Sequence, residues 1–72
     1  MINDKLLIDY LNDSLEYQTS NGRKVDYILH YYIIEGIYLD VTFEFENDDR
    51  KGTVQIDIIH LMNWFYCKML EK

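Results

Sequence analysis

The sequence predicts an α+β fold: a helix, a four-stranded antiparallel β-meander and a second helix, with both helices packed on one face of the sheet. Apolar residues recur at helical spacing near both ends of the chain, whereas the middle alternates with a period of two between turn sequences. The 72 residues contain no repeat and no linker, so we expect a single domain spanning residues 1–72. A chain of this length buries only about 60% of its unfolded surface, so association with a second chain would stabilise it.

The first helix is predicted over residues 3–13, with the sequence NDKLLIDYLND. Asn3 is a favourable N-cap, and Asp4 lies where the positive end of the helix dipole favours an acidic side chain. Leu7 and Leu11 lie four residues apart and mark the side of this helix that faces the core.

Turn sequences divide the middle of the chain into strands. Asn21-Gly22 is a strong hairpin signal, because both central residues of a type I′ turn need a positive φ. Glu35-Gly36 predicts a second tight reversal, and the polar stretch 47–52 predicts a longer loop. The strands are predicted at residues 15–19, 25–34, 37–46 and 53–58.

Segment 25–34 is open to two interpretations, since its apolar residues also fit a helix that ends at Gly36. We favour a strand, because most of its residues are β-branched or aromatic and it matches segment 37–46 in length.

The last helix is predicted over residues 57–72, with Asp57 as its N-cap. Trp64 lies off the predicted apolar stripe, at the helix edge or on a contact surface, whereas Phe65 lies in the core. The stripe comprises Ile58, Leu61, Met62, Phe65 and Met69.

The turns fix which residues are paired across the sheet and therefore which face each side chain occupies. On the core face, the predicted pairs are Ile28–Phe43, His30–Val41, Asp26–Phe45, Phe45–Val54, Phe43–Ile56 and Val41–Ile58. His30 is therefore expected to be a core histidine. On the other face, Tyr31 is predicted to oppose Asp40, and Tyr27 to oppose Glu44.

The face opposite the helices is expected to be uncovered and to bind a partner, because tyrosine is enriched where proteins bind one another. A competing interpretation is that long tyrosines merely shield a central strand while remaining solvated. The candidate partner-binding residues are Tyr27, Leu29, Tyr31, Ile33, Tyr38, Asp40, Glu44 and Glu46.

Composition narrows the classes of function. The formal net charge is −6, which argues against direct nucleic-acid binding, and no apolar run is long enough to span a membrane. The single cysteine, Cys67, excludes an intramolecular disulfide and fits a cytoplasmic setting. We find no catalytic motif, and we expect no enzyme activity, no metal site and no cofactor.

The opening MINDKLLIDYLND, the acidic composition and the helix–strands–helix order resemble those of small phage-encoded inhibitors of host or defence enzymes, in particular one group of anti-CRISPR proteins. That resemblance implies a helix, a three-stranded sheet and further helices, and inhibition of a nuclease by imitation of DNA. The chain departs from the group in its predicted fourth strand and single closing helix, and no functional residue is transferred from it.

From the sequence we therefore expect a small acidic inhibitor or regulator from a phage or mobile element, which engages a basic groove of a host or defence protein through the open sheet face. The alternative is a homodimeric interaction module that pairs through the same face.

Overall fold

The computed structural model describes residues 2–14 and 24–70. Two helices and three strands lie in these ranges. In chain order they are α1 (Asp4–Asp13), β1 (Val25–Ile34), β2 (Tyr38–Phe45), β3 (Lys51–Asp57) and α2 (Ile58–Leu70). Segment 25–34 is a strand, which confirms the preferred interpretation over the helical one.

Helix α1 begins as predicted. The Asn3 side chain accepts a hydrogen bond of 2.9 Å from the Leu6 backbone N–H, so one of the unpaired donors of the first turn is satisfied. The helix ends at Ser14, whose N–H donates to the Tyr10 carbonyl. Its buried side consists of Leu6, Leu7, Tyr10 and Leu11.

The sheet has three antiparallel strands in the order β1-β2-β3, so the prediction of a four-stranded meander was wrong. The strand predicted at 15–19 and the Asn21-Gly22 turn lie outside the described residues. At the free edge of β1, the Asn12 side chain takes the place of a neighbouring strand. Its amide oxygen accepts from the Val25 N–H at 2.8 Å, and its amide nitrogen donates to the Val25 carbonyl at 3.0 Å. Helix α1 therefore occupies the backbone groups of Val25 that a further strand would use.

The turn between β1 and β2 is tight, as predicted, but it changes the register. Glu35 and Gly36 have φ of 55° and 69°, and the Ile37 N–H donates to the Ile34 carbonyl. The Ile37 carbonyl, however, accepts from the Ile58 N–H at 3.0 Å, and the ladder starts one residue later, with Ile34 opposite Tyr38. This shift by one residue exchanges the two faces of the adjoining half of β1.

Two register shifts in β1 follow further along the strand. One lies between Ile28 and His30, where Leu29 has no partner in the register, and it restores the predicted pair Ile28–Phe43. The other lies between Val25 and Tyr27, and it brings Val25 opposite Phe45. Such bulges are typical of edge strands, where an extra residue is accommodated by a local bend.

The face assignments in β1 change accordingly. Tyr31 and Ile33 pair with Val41 and Leu39 on the helix-covered side, not on the open face where they were predicted. Asp26 was predicted opposite Phe45 on the core face, but Val25 takes that position and is a core residue, 3% exposed. His30 pairs with Thr42 and is exposed, so the expectation of a core histidine was wrong.

Strands β2 and β3 pair Leu39 with Ile56, Val41 with Val54 and Phe43 with Gly52. Each residue of β2 meets a β3 residue that lies four positions before the predicted one. Because the shift is even, Val54 and Ile56 remain on the predicted face.

Helix α2 begins where the sequence predicts. The Asp57 carboxylate accepts hydrogen bonds from the backbone N–H groups of Ile59 and His60, at 2.9 and 3.2 Å. Of the predicted stripe, Leu61 is fully buried and Ile58 and Met62 pack against the core, as predicted. Met69 is exposed instead, and Trp64, which was predicted off the stripe, packs against the core. Trp64 meets the Tyr10 ring edge to face at 5.3 Å between ring centroids, and this contact rotates the buried side of the helix toward α1.

The core lies between the two helices and one face of the sheet. It is formed by Leu7, Tyr10, Leu11, Val25, Ile28, Leu39, Val41, Phe43, Ile56 and Leu61. All of its β2 members belong to the alternate set that was predicted to face inward, so the face opposite the helices carries the other set.

Candidate protein-binding surface

The face of the sheet that points away from α1 and α2 is the open sheet face. None of the described helices packs on it, because both contribute to the core on the other side. Alternation and register place on it Tyr27, His30, Tyr32 and Ile34 from β1, Tyr38, Asp40, Thr42 and Glu44 from β2, and Lys51, Thr53, Gln55 and Asp57 from β3.

Two tyrosine–carboxylate pairs form the centre of this face. Tyr32 lies opposite Asp40, and Tyr27 lies opposite Glu44, with one further row of the same face between these two rows of the β1–β2 ladder. Asp40 raises the pKa of Tyr32 above its ordinary value of 10.0, through hydrogen bonding to the neutral hydroxyl and through its negative charge. Tyr27 and Tyr32 are 55% and 53% exposed, so about half of each aromatic side chain is available for contact.

His30 lies between the two pairs, opposite Thr42. Its ring stacks on that of Tyr32 with 6.2 Å between centroids and 20° between planes. The face thus presents aromatic rings beside carboxylates, an arrangement suited to a cation with a flat, hydrogen-bonding head group.

The predicted site residues are divided between the two faces. Tyr27, Tyr38, Asp40 and Glu44 are brought together on the open sheet face. Tyr31 instead packs against the core, and Ile33 lies on the same, helix-covered side of the sheet. Leu29 lies at the bulge between Ile28 and His30. Glu46 follows the end of β2, is exposed, and its N–H donates to the Lys24 carbonyl at 2.7 Å.

Tyr32 and His30 are the residues of this face that the sequence analysis missed. Their placement depends on the Ile37 carbonyl accepting from the first residue of α2. A contact between residues this far apart leaves no local signal, and the Glu35-Gly36 turn alone is equally consistent with the other register.

The acidic character of the face is weaker than predicted. The Asp57 carboxylate accepts from two backbone N–H groups at the start of α2. Glu44 lies opposite the basic residue Lys51 of β3. Negative charge on the open sheet face is therefore concentrated at Asp40 and Glu44.

A groove of about 820 Å³ separates α1 from α2 on the other side of the molecule. Its charged groups are paired: Lys5 with Asp9 at 3.1 Å, and Lys68 with Asp13 at 3.7 Å. The groove is also lined by Leu6, Asn12, Trp64, Phe65 and Met69. Because these charged side chains already pair with one another, we assign the groove to the contact between the two helices and not to a binding site.

The described residues offer few side chains that could bind a metal or take part in a reaction. Within residues 2–14 and 24–70, no three His, Cys, Asp or Glu side chains are close enough together to hold a metal ion. Cys67 is exposed on α2, seven residues from His60, a spacing of about two helical turns. Neither helix in the described part of the chain is long and apolar enough to cross a membrane.

The fold and the surface together define a small α+β protein with one covered and one uncovered face of a three-stranded antiparallel sheet. Comparison with protein-family models, curated proteins and solved structures finds no match.

Proposed function

We propose that this protein is a binding module, not an enzyme, and that its open sheet face docks on a basic surface of another protein. The observation that carries the proposal is the presence of two tyrosine–carboxylate rows on one face, Tyr32–Asp40 and Tyr27–Glu44, separated by the His30–Thr42 row. In each row, an arginine of the partner can stack on the ring while it donates hydrogen bonds to the carboxylate.

The charge of the whole chain supports the same kind of partner. A formal net charge of −6 attracts a basic surface over a distance of about 8–10 Å at moderate ionic strength. A protein that covers a functional groove in this way acts as an inhibitor or regulator, and that is the role we propose. An origin in a phage or mobile element, and DNA mimicry, are proposals that rest on the resemblance of sequence order alone.

Self-association through the open sheet face is a weaker candidate. A second copy on this face would bring Asp40 and Glu44 close to the same carboxylates of its neighbour, and like charges in an interface are unfavourable. The preferred occupant is therefore a basic protein.

The proposal can be tested before the partner is known, with hexa-arginine as the probe. In a heteronuclear NMR titration, we expect shift changes on the open faces of β1 and β2 that weaken as salt is added. The variant Tyr32→Ala/Glu44→Lys should keep its spectrum and lose these changes. Asp9→Lys makes the same change of charge as Glu44→Lys, but on α1. It is the matched control and should retain the shift changes on β1 and β2. Changes confined to α1, or unaffected by the double variant, would rule the proposed surface out.

A further inference from the structure

Helix α2 has a second apolar side that the core does not use. Its buried side is centred on Leu61, and polar residues occupy only a narrow part of the remaining circumference. The unused side is the outer stripe, which follows helical spacing and consists of Ile59, Tyr66, Met69 and Leu70. All four of these side chains are more than half exposed.

The outer stripe is also free of negative charge. The chain has 13 acidic residues, yet none lies between positions 58 and 70. In a protein with a net charge of −6, this helix is therefore a surface on which two copies can approach without facing carboxylates.

Two further exposed apolar side chains lie at the end of the sheet where α2 begins. Ile37 is hydrogen-bonded through its carbonyl to the first residue of α2, and Ile33 lies on the helix side of β1 next to this turn. Both side chains are exposed large hydrophobic groups. Together with the exposed residues of the outer stripe they make six, with exposed fractions of 48–70%.

The exposed area of these six side chains matches the need of a small homodimer. At roughly 100–200 Å² per large apolar side chain, the exposed parts amount to about 350–700 Å² per copy. A specific interface of about 1,200 Å² that is about 65% apolar needs about 400 Å² of apolar surface from each copy.

We propose that two copies of this chain associate through the outer stripe of α2, with the two helices antiparallel about a two-fold axis. In this arrangement Ile59 of one copy lies opposite Leu70 of the second, and Asn63 and Tyr66 lie near the axis. Because the interface is isologous, each of these contacts occurs twice, once in each direction.

The dimer leaves the open sheet face of both copies accessible, so it does not depend on the proposed function. The two contacts also respond to salt in opposite ways. Salt screens the repulsion between two acidic chains and should strengthen the apolar dimer, whereas it should weaken binding of a basic partner.

The first test is the solution mass measured by sedimentation velocity over a range of concentrations. We expect a monomer–dimer equilibrium for the wild type and a dimer weakened by at least about tenfold in Ile59→Glu and in Tyr66→Arg. Tyr27→Arg is the matched control, since Tyr27 is similarly exposed but lies on the open sheet face, and it should leave the dimer intact. Near-UV circular dichroism checks that each variant retains its tertiary structure.

The second test uses the native Cys67. With Ile59 opposite Leu70, Cys67 lies opposite position 62 of the second copy, and the two Cys67 Cα atoms lie about 12 Å apart. A bismaleimide of matching length should give a covalent dimer, and Ile59→Glu should abolish it. A monomer at millimolar concentration, a dimer that survives Ile59→Glu, or a dimer lost in Tyr27→Arg would each overturn the proposal.

Discussion

The Trp64 indole Nε1 donates a hydrogen bond of 2.6 Å to the Asp13 carboxylate and so joins the last residue of α1 to the middle of α2. Asp13 lies at a helix C-terminus, where a negative charge is unfavourable by itself. The indole N–H and the Lys68 ammonium, 3.7 Å from the same carboxylate, compensate for this position.

This contact is expected to contribute measurably to stability. Asp13→Ala should lower the free energy of unfolding by about 1 kcal/mol, because the indole N–H loses its partner at the helix contact. Asp9→Ala, on the same helix, removes only the exposed pair with Lys5 and should cost less than about 0.5 kcal/mol. Urea denaturation followed by circular dichroism gives both values, and equal losses would show that the Trp64 contact adds nothing.

Gly52 is expected to be required by the ring that covers it. A Cβ at this position would lie 2.7 Å from Cε1 of Phe43, its partner across the sheet. Phe43 is buried, so its ring cannot move away freely, and Gly52→Ala should cost about 1–3 kcal/mol by overpacking.

Gly36 is the natural comparison for Gly52, because a Cβ there meets nothing within 4 Å while φ is +69°. Gly36→Ala should therefore be destabilising through backbone strain alone, by about 1 kcal/mol, and Gly36→Asn should cost less. Thermal unfolding of the three variants measures the difference. If Phe43→Leu relieves Gly52→Ala but not Gly36→Ala, the two causes are separated; relief of both would contradict this account.

Substitution of Asn12, even by aspartate, is expected to lower the stability of the protein. Its amide both accepts from and donates to the backbone of Val25, which is buried. Asn12→Asp keeps the acceptor but loses the donor, and Asn12→Ala loses both, so we expect destabilisation by about 1–3 kcal/mol in each. Amide hydrogen exchange should accelerate at Val25 in Asn12→Ala; unchanged protection there would argue against the contact.

The pKa of Tyr32 is expected to lie above the ordinary value for tyrosine. The hydrogen bond to Asp40 and the negative charge both favour its neutral form, so its pKa is raised, and Asp40→Asn should lower it again. Because the folded-state pKa is higher than the unfolded one, this stabilisation is complete below about pH 10 and is lost as the pH rises through the folded-state pKa. The ¹³Cζ shift of Tyr32 reports the titration, and an identical midpoint in Asp40→Asn would refute the pair.

Much of this fold is encoded locally. The β2 strand alternates without interruption, and Asn3 and Asp57 cap the helices that they were predicted to cap. The orientation of β1 could not be obtained in the same way. Its residues are apolar on both sides, so hydrophobicity does not distinguish one register from the next, and a single contact from Ile37 to Ile58 decides it.

The same difference between β2 and β1 applies to the residues of the candidate site. Asp40 and Glu44, on β2, lie where the alternation predicts, whereas the aromatic members of the face change with the register of β1, so that Tyr32 replaces Tyr31. The number of strands was misjudged because an asparagine side chain can satisfy a strand edge, and a sequence pattern does not reveal this role.

The Asn12–Val25 clamp also bears on how this protein tolerates insertions. It holds the end of α1 and the start of β1 side by side, independently of the chain that joins them. The entropy of closing such a connection grows slowly, by about 0.6 kcal/mol for each doubling of its length. A longer connection between residues 14 and 24 would therefore cost little in loop-closure entropy, because the clamp already joins its two ends.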